Sequence, residues 1–239
     1  MSRAPKQLEP ALLHADEQIL VINKPAGYLC GPGNADYPGV PDAPWDLPDD
    51  EPFHATQRID PNCSGAVVYA RTLEARKHLE TYQPKLLCDV LIEGYLEADT
   101  EITFPIFFDK RRGRIECSER RGTPARTLVT VLERIAGNTW CRCDVVAGKH
   151  EQIRPHLAAI AHPLTIDPHH GNVSPLLLSR FKSNYRPSRR HEERPLVARL
   201  TMHVAVQELT HPTTGETLRW EAPLAKDLRT TLRQLGRLT

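Results

Sequence analysis

Two short stretches hold residue types that could do chemistry. In His54-Ala55-Thr56-Gln57-Arg58-Ile59-Asp60-Pro61-Asn62-Cys63-Ser64-Gly65 an arginine and an aspartate stand two apart, and in extended backbone such residues share a face. Pro61, Asn62 and Gly65 then turn the chain. An acid beside an arginine, at a turn between apolar runs, is either an activated nucleophile or a structural ion pair. On spacing alone the ion pair is the commoner outcome. The second stretch is Gly148-Lys149-His150-Glu151-Gln152-Ile153-Arg154-Pro155-His156-Leu157. It reads as a turn into a helix, whose start favours an anion. Arg154 in that first turn suits a carboxylate or phosphate.

The elements that must position these residues are legible in outline. Gln18–Asn23 is a β-branched run and predicts a buried strand, stopped by Lys24-Pro25-Ala26-Gly27. Residues 31–52 form a long Pro- and Asp-rich loop, of the kind that is usually functional or mobile. Ala66–Ala70 predicts a second buried strand, and Thr72 caps a helix over Leu73–Tyr82. Leu86–Ile92 is a third strand, residues 110–121 a basic hairpin around Arg112-Gly113, and Thr127–Arg134 and Thr139–Val146 two further strands. Pro155 is tolerated only in a first turn, so the next helix begins near Gln152, with Ile153, Leu157, Ile160 and Ala161 on its buried face. Residues 168–199 are a polar, basic excursion. Leu200–Leu209 and Glu216–Glu221 form a hairpin, and Ala225–Leu238 a last helix.

The sum is an α+β chain with a mainly antiparallel sheet. It reads as a loose lead-in (1–10) followed by one domain (11–239), with no separate N-terminal RNA-binding domain. Apolar content is 40% and charged content 26%, ordinary for a globular chain. No stretch has the roughly 20 apolar residues of a membrane span, and no signal peptide is evident. Six scattered cysteines therefore read as reduced thiols in the cytoplasm. No CxxC pair or cysteine–histidine spacing marks a metal site. His203 reads as a packed strand histidine, His169-His170 as loop surface, and Trp140 and Trp220 as packing anchors. Net charge is only +1, yet Lys110–Arg126 and Arg180–Arg199 are basic blocks. They are either polyanion contacts or solvated loops.

Taken together, the motifs resemble the RluA-type pseudouridine synthases. The order is Asn23-Lys24-Pro25-Ala26-Gly27, Arg58-Ile59-Asp60 with Ser64-Gly65, Gln152-Ile153-Arg154, Ala161-His162-Pro163-Leu164 with Asp167, and Met202-His203-Val204 before His211-Pro212-Thr213-Thr214-Gly215. Several motifs in one order are more specific than any single match. The likeness runs from about Leu12 to the C-terminus and is strongest to the branch that modifies transfer RNA.

The resemblance implies a bent, mixed sheet with flanking helices and a central cleft. It implies isomerisation of a uridine in tRNA or rRNA to pseudouridine, without cofactor or metal. Asp60 would be the nucleophile, paired with Arg154, while Arg58, Lys149, Gln152 and Ile153 would bind substrate. The strand position of the family's base-stacking tyrosine is here Cys88, with Tyr82 or Tyr95 as substitutes. Lys110, Arg111, Arg112, Arg186, Arg189 and Arg190 would hold the RNA backbone, and the protein would act as a monomer. Two alternatives follow from Cys88 and the weak net charge: an RNA-binding relative without catalysis, and an enzyme acting on another nucleoside or sugar. Gln57 stands where the family usually has histidine, and Glu151 adds a negative charge near the site.

Overall fold

The computed structural model describes residues 9–45, 53–147, 149–186 and 192–238. In chain order the elements are β1 (Ala11–Ala15), β2 (Ile19–Lys24), β3 (His54–Ala55), β4 (Ser64–Ala70), α1 (Leu73–Thr81), β5 (Lys85–Glu93), β6 (Thr100–Ile102), β7 (Ile106–Asp109), β8 (Arg114–Cys117), β9 (Arg126–Ile135), β10 (Asn138–Ala147), α2 (Ile153–Ala159), β11 (Met202–Thr210), β12 (Thr217–Glu221) and α3 (Lys226–Leu235). They form two compact units, Met1–Lys85 with Val204–Pro223, and Leu86–His203 with Leu224–Thr239. The α+β class expected from the sequence is the class the chain adopts.

In the first unit β2 and β4 pair antiparallel, with Val21 opposite Val68. β1 lies outside β2, and β11 and β12 continue the sheet beyond β4. Every residue of β4 is buried, which is why its sequence is apolar without alternation. Ile19, Val21, Ala66, Val68 and Ala70 share a core with Ala75 and Leu79 of α1 and with Leu209. Burial of each large aliphatic side chain contributes roughly 1.5–3 kcal/mol. The Thr72 hydroxyl accepts the Ala75 N–H at 3.1 Å, the cap foreseen for α1. Gly65 has φ +119°, and a Cβ there would sit 2.2 Å from the Val204 carbonyl oxygen. Only glycine lets β4 approach β11 so closely. The strands β1 and β3 are not apparent in the sequence: β1 is largely exposed, so it lacks an apolar signature, and β3 is two residues long.

In the second unit β5, β10, β9 and β6 form an antiparallel sheet. β9 and β10 are joined through Ala136 (φ 46°) and Gly137 (φ 76°), two successive left-handed residues of the kind a tight hairpin needs. The expected basic hairpin is β7–β8, with Gly113 at φ 66°. Leu91, Ile135, Trp140, Ile166, Leu176, Val197, Leu228 and Leu235 form this unit's core.

Two expectations are corrected here. Ala161 does not lie on the buried face of α2: the helix ends at Ala159, and Ala161 is exposed with φ 61°. Nor is 168–199 a simple polar excursion. Leu176 and Val197 are buried and bonded to each other through their backbones at 2.8 Å, so its two arms are anchored in the core. Local polarity hid this, because isolated apolar residues in a polar stretch carry no period.

Candidate functional site

Asp60 sits in the first unit at the turn that leads into β4. Arg58 is exposed, Ile59 is 6% exposed and Asp60 is half-buried. The arginine and the aspartate therefore point away from the core on either side of a buried isoleucine, as the two-residue spacing required. The Asn62 N–H donates to Asp60 Oδ1 at 2.8 Å, and the Cys63 N–H to the Asp60 carbonyl at 2.9 Å.

What fixes this turn is Lys24. Its side chain is fully buried, and its Nζ donates to the carbonyl oxygens of Cys63 (2.7 Å), Tyr28 (2.8 Å), Pro61 (3.0 Å) and Pro25 (3.2 Å). A buried ammonium is tolerable only when such acceptors replace water. These come from both sides of the site: two from the Lys-Pro-Ala-Gly turn and its sequel, two from the turn after Asp60. The Gly27 N–H adds a bond to the Pro61 carbonyl at 2.9 Å. The sequence marks Lys24 as part of a turn signal and of a family motif, and neither shows its burial, which is a finding of the tertiary structure. Gln57 donates to the Pro84 carbonyl at 2.7 Å and accepts from Gln207 Nε2 at 3.2 Å.

In the second unit Arg154 enters in the first turn of α2. It forms a fork with Asp167, Nε to Oδ2 at 2.8 Å and Nη2 to Oδ1 at 2.5 Å. Asp167 is fully buried and also accepts the N–H groups of His169 (2.8 Å) and His170 (3.2 Å). Burial by itself would raise the Asp167 carboxyl, but the Arg154 fork and these N–H groups outweigh it and hold it below the usual carboxylate range. Burial lowers His170 to about 4. Its Nδ1 lies 4.0 Å from Glu116, which also takes Arg114 at 2.7 Å and Arg112 at 3.0 Å. The Arg114 guanidinium also donates to the His169 carbonyl. Arg154 is thus held by a buried carboxylate whose own loop is tied to β8.

Gln152, Ile153 and Cys88 have no exposed surface. Gln152 accepts the Lys149 N–H at 2.9 Å and donates to Thr127 Oγ1 (2.9 Å) and the Arg126 carbonyl (3.1 Å). Its geometry suits placing the start of α2 rather than touching a ligand. His156 completes the seating, between Thr127 Oγ1 (3.0 Å) and the Phe104 carbonyl (2.9 Å). α2 itself has only seven residues. Cys88 faces Cys143 across β5 and β10. Tyr82 packs on His78, with ring centroids 4.9 Å apart, and the Tyr95 hydroxyl accepts the Gly137 N–H at 2.9 Å.

Of the basic residues, Lys110, Arg111, Arg112, Lys149 and Arg186 are exposed. Arg189 and Arg190 lie outside the described residues, as does Gly148. Three other arginines of the two basic blocks are already engaged within the protein. Arg199 forks onto Asp227 at 2.7 and 2.8 Å, Arg126 pairs with Glu101, and Arg121 lies 4.0 Å over the Phe107 ring. Among the described residues no group of three or more potential ligands could hold a metal ion, and no helix is long and apolar enough to cross a membrane.

Two stability measurements probe these arrangements. Lys24→Met leaves buried carbonyls without their donor, and the expected loss is roughly 3 kcal/mol in denaturant unfolding; a stable variant would show that the cage is dispensable. For Asp167 the folded pKa is depressed, so its stabilisation is present above the unfolded value of about 3.9 and is lost as pH falls below it. Asp167→Asn should therefore be less stable at neutral pH, and the gap to wild type should narrow on acidification. A constant gap down to about pH 2 would contradict this account.

A family model described as RNA pseudouridylate synthase matches residues 18–159, which include both β2 and the Asp60 turn and run to the end of α2. The chain is 32% identical to ribosomal large subunit pseudouridine synthase D of Nitrosomonas europaea, over 95% of its own length and 65% of the relative's. It is 31% identical to dual-specificity RNA pseudouridine synthase RluA of Pasteurella multocida, over 90% of its length and 93% of the relative's. The chain thus spans a little under two thirds of the D-type relative and 60% of the one from Neisseria meningitidis. In fold it is similar to human RNA pseudouridylate synthase domain containing 4, with TM-score 0.66 at 19% identity, over 94% of this chain and 92% of that one. The matched motifs and the fold agree: the chain is an RluA-type member of the RNA pseudouridylate synthase family.

Proposed function

We propose that this chain isomerises a uridine in RNA to pseudouridine, with Asp60 as the nucleophile. The observation that carries the proposal is a half-buried carboxylate on a turn held by the Lys24 cage, at the place in the motif order where the family has its aspartate. Attack at C1′, or support of a glycal-like intermediate, breaks the C1′–N1 bond. The base turns and its carbon bonds to C1′ as the Asp60–C1′ bond breaks, or, on the glycal route, as the proton lost from C2′ is returned; a proton leaves that carbon and N1 gains one. Atoms and electrons balance without a cofactor. The match of Gln152-Ile153-Arg154 to the family's order supports Arg154 as the partner of Asp60, and the Asp167 fork would keep its guanidinium oriented.

RNA is the proposed partner, through exposed Lys110, Arg111, Arg112 and Arg186, with Arg189 and Arg190 in the same block. The relatives' names point to ribosomal RNA, while the look of the motifs points to transfer RNA; both are substrates to test. Six scattered cysteines, read as reduced thiols, suit a reducing compartment such as the cytoplasm, and a monomer suffices for the chemistry. A second reading, RNA binding without catalysis, is favoured by one observation: Cys88 is a buried thiol and offers a base no ring.

Pseudouridine mapping of RNA from cells with and without the gene identifies the substrate. Asp60→Asn should lose pseudouridine formation completely while keeping the wild-type unfolding midpoint; a variant that still makes pseudouridine removes Asp60 from the chemistry. RNA affinity should fall steeply with salt, and replacing Lys110 and Arg111 together should reduce the slope of log K against log salt by about 0.7 for each phosphate that is no longer neutralised. A flat salt response would point to a small nucleoside instead.

A further inference from the structure

A base taken out of an RNA helix loses its stacking partners, and an enzyme commonly replaces them with an aromatic face. Because Asp60 must reach the sugar, the ring has to lie within a nucleotide's reach of that carboxylate. The chain has six tyrosines, and most are otherwise engaged. Tyr69 is fully buried and Tyr28 is 8% exposed. Tyr82 lies tilted at 42° against the His78 ring at the end of α1, and Tyr95 is tied by its hydroxyl to the β9–β10 turn.

Tyr37 is different. Asn62, whose backbone N–H binds Asp60 Oδ1 at 2.8 Å, directs its side-chain Nδ2 to the Tyr37 hydroxyl at 3.4 Å. A single residue therefore links the phenol to the carboxylate. Tyr37 is half-buried.

The loop that carries Tyr37 is built to place it. The Asn34 carboxamide oxygen accepts the N–H groups of Asp36 and Tyr37, each at 2.9 Å, and the Asn34 N–H donates to the Tyr37 carbonyl at 2.8 Å. Leu29 bonds to Pro38 and Val40 on either side of Gly39, at 2.9 and 3.0 Å. Gly39 admits no side chain, since a Cβ would come within 2.4 Å of the Gly33 nitrogen. Asp42 Oδ2 accepts the Gly33 N–H at 2.7 Å. At the base of the loop the Cys30 thiol donates to the Ile59 carbonyl at 3.7 Å, one residue before Asp60. Residues 29–42 thus form an arm fixed to the Asp60 turn at both Ile59 and Asn62.

We infer that Tyr37 is the base-stacking residue of this enzyme, supplied from the loop after β2 beside Asp60. The inference rests on the proposed uridine isomerisation and names the ring that the reaction's base would meet. Three variants test it, each assayed as the full chain on the RNA that the mapping identifies. Tyr37→Leu should lower kcat/KM about 10- to 100-fold, the range of one base–aromatic stack, with an unchanged unfolding midpoint. Tyr37→Phe should keep activity within about tenfold, because only one long, part-buried hydrogen bond is lost. Tyr37→Trp should stay active. A leucine variant as active as wild type, or a phenylalanine variant as impaired as leucine, overturns the assignment. If the wild type binds RNA but makes no pseudouridine, the proposed activity fails by itself; the ring is then judged by RNA affinity, with the same loss expected for Tyr37→Leu and equal affinity overturning it.

Discussion

The ammonium of Lys24 is the constraint on which the Asp60 turn depends. It is wholly buried, and four carbonyl oxygens within 3.2 Å replace its water. A buried charge is destabilising unless it is satisfied in this way, and a cage that satisfies it cannot deform without exposing the cost. Two of its carbonyls follow Asp60 within three residues. The position of the carboxylate is therefore coupled to the end of β2, far upstream in the sequence. Gly65 secures the other side, since its missing side chain lets β4 lie against Val204 of β11.

The second unit solves a similar problem with opposite charges. Arg154 belongs to a helix of seven residues, too short to orient a long side chain by itself. Asp167 holds it through a bidentate fork, the geometry in which an arginine loses least freedom for each bond made. Asp167 is in turn fixed by two backbone N–H groups and by a loop tied to β8 through Arg114 and Glu116. Truncating either partner would leave a buried charge uncompensated, which explains why Gln152 and His156 are also committed to seating this segment. The residues around both charged groups serve position more than contact.

Basic side chains divide along the same line. Arg199, Arg126 and Arg121 are used as struts against Asp227, Glu101 and Phe107, so charge density along the sequence overstates what is available to a polyanion. Lys110 and Arg111 stand in a hairpin turn whose Asp109 carboxylate is occupied by the backbone N–H groups of Arg111 and Arg112. Such cations remain exposed and are the ones to which the phosphate contacts are assigned.

By itself the sequence determined the strands β2, β4, β5, β9 and β10, the helix α1 with its Thr72 cap and the basic hairpin, because apolar runs, turn residues and caps act over a few residues. The order of motifs also determined the family, and singled out Asp60 and Arg154. It could not show β1 or β3, where exposure or brevity erases the pattern, nor the anchoring of 168–199 by Leu176 and Val197. Local spacing left Asp60 as either nucleophile or ion-pair partner, since both need the same two residues. Only the tertiary structure decided that Lys24 is a buried clamp, that Arg154 is gripped by Asp167, and that Tyr37 meets Asn62 at the Asp60 turn. Each of these joins residues distant in the chain, and their worth comes from burial and geometry that no local pattern encodes.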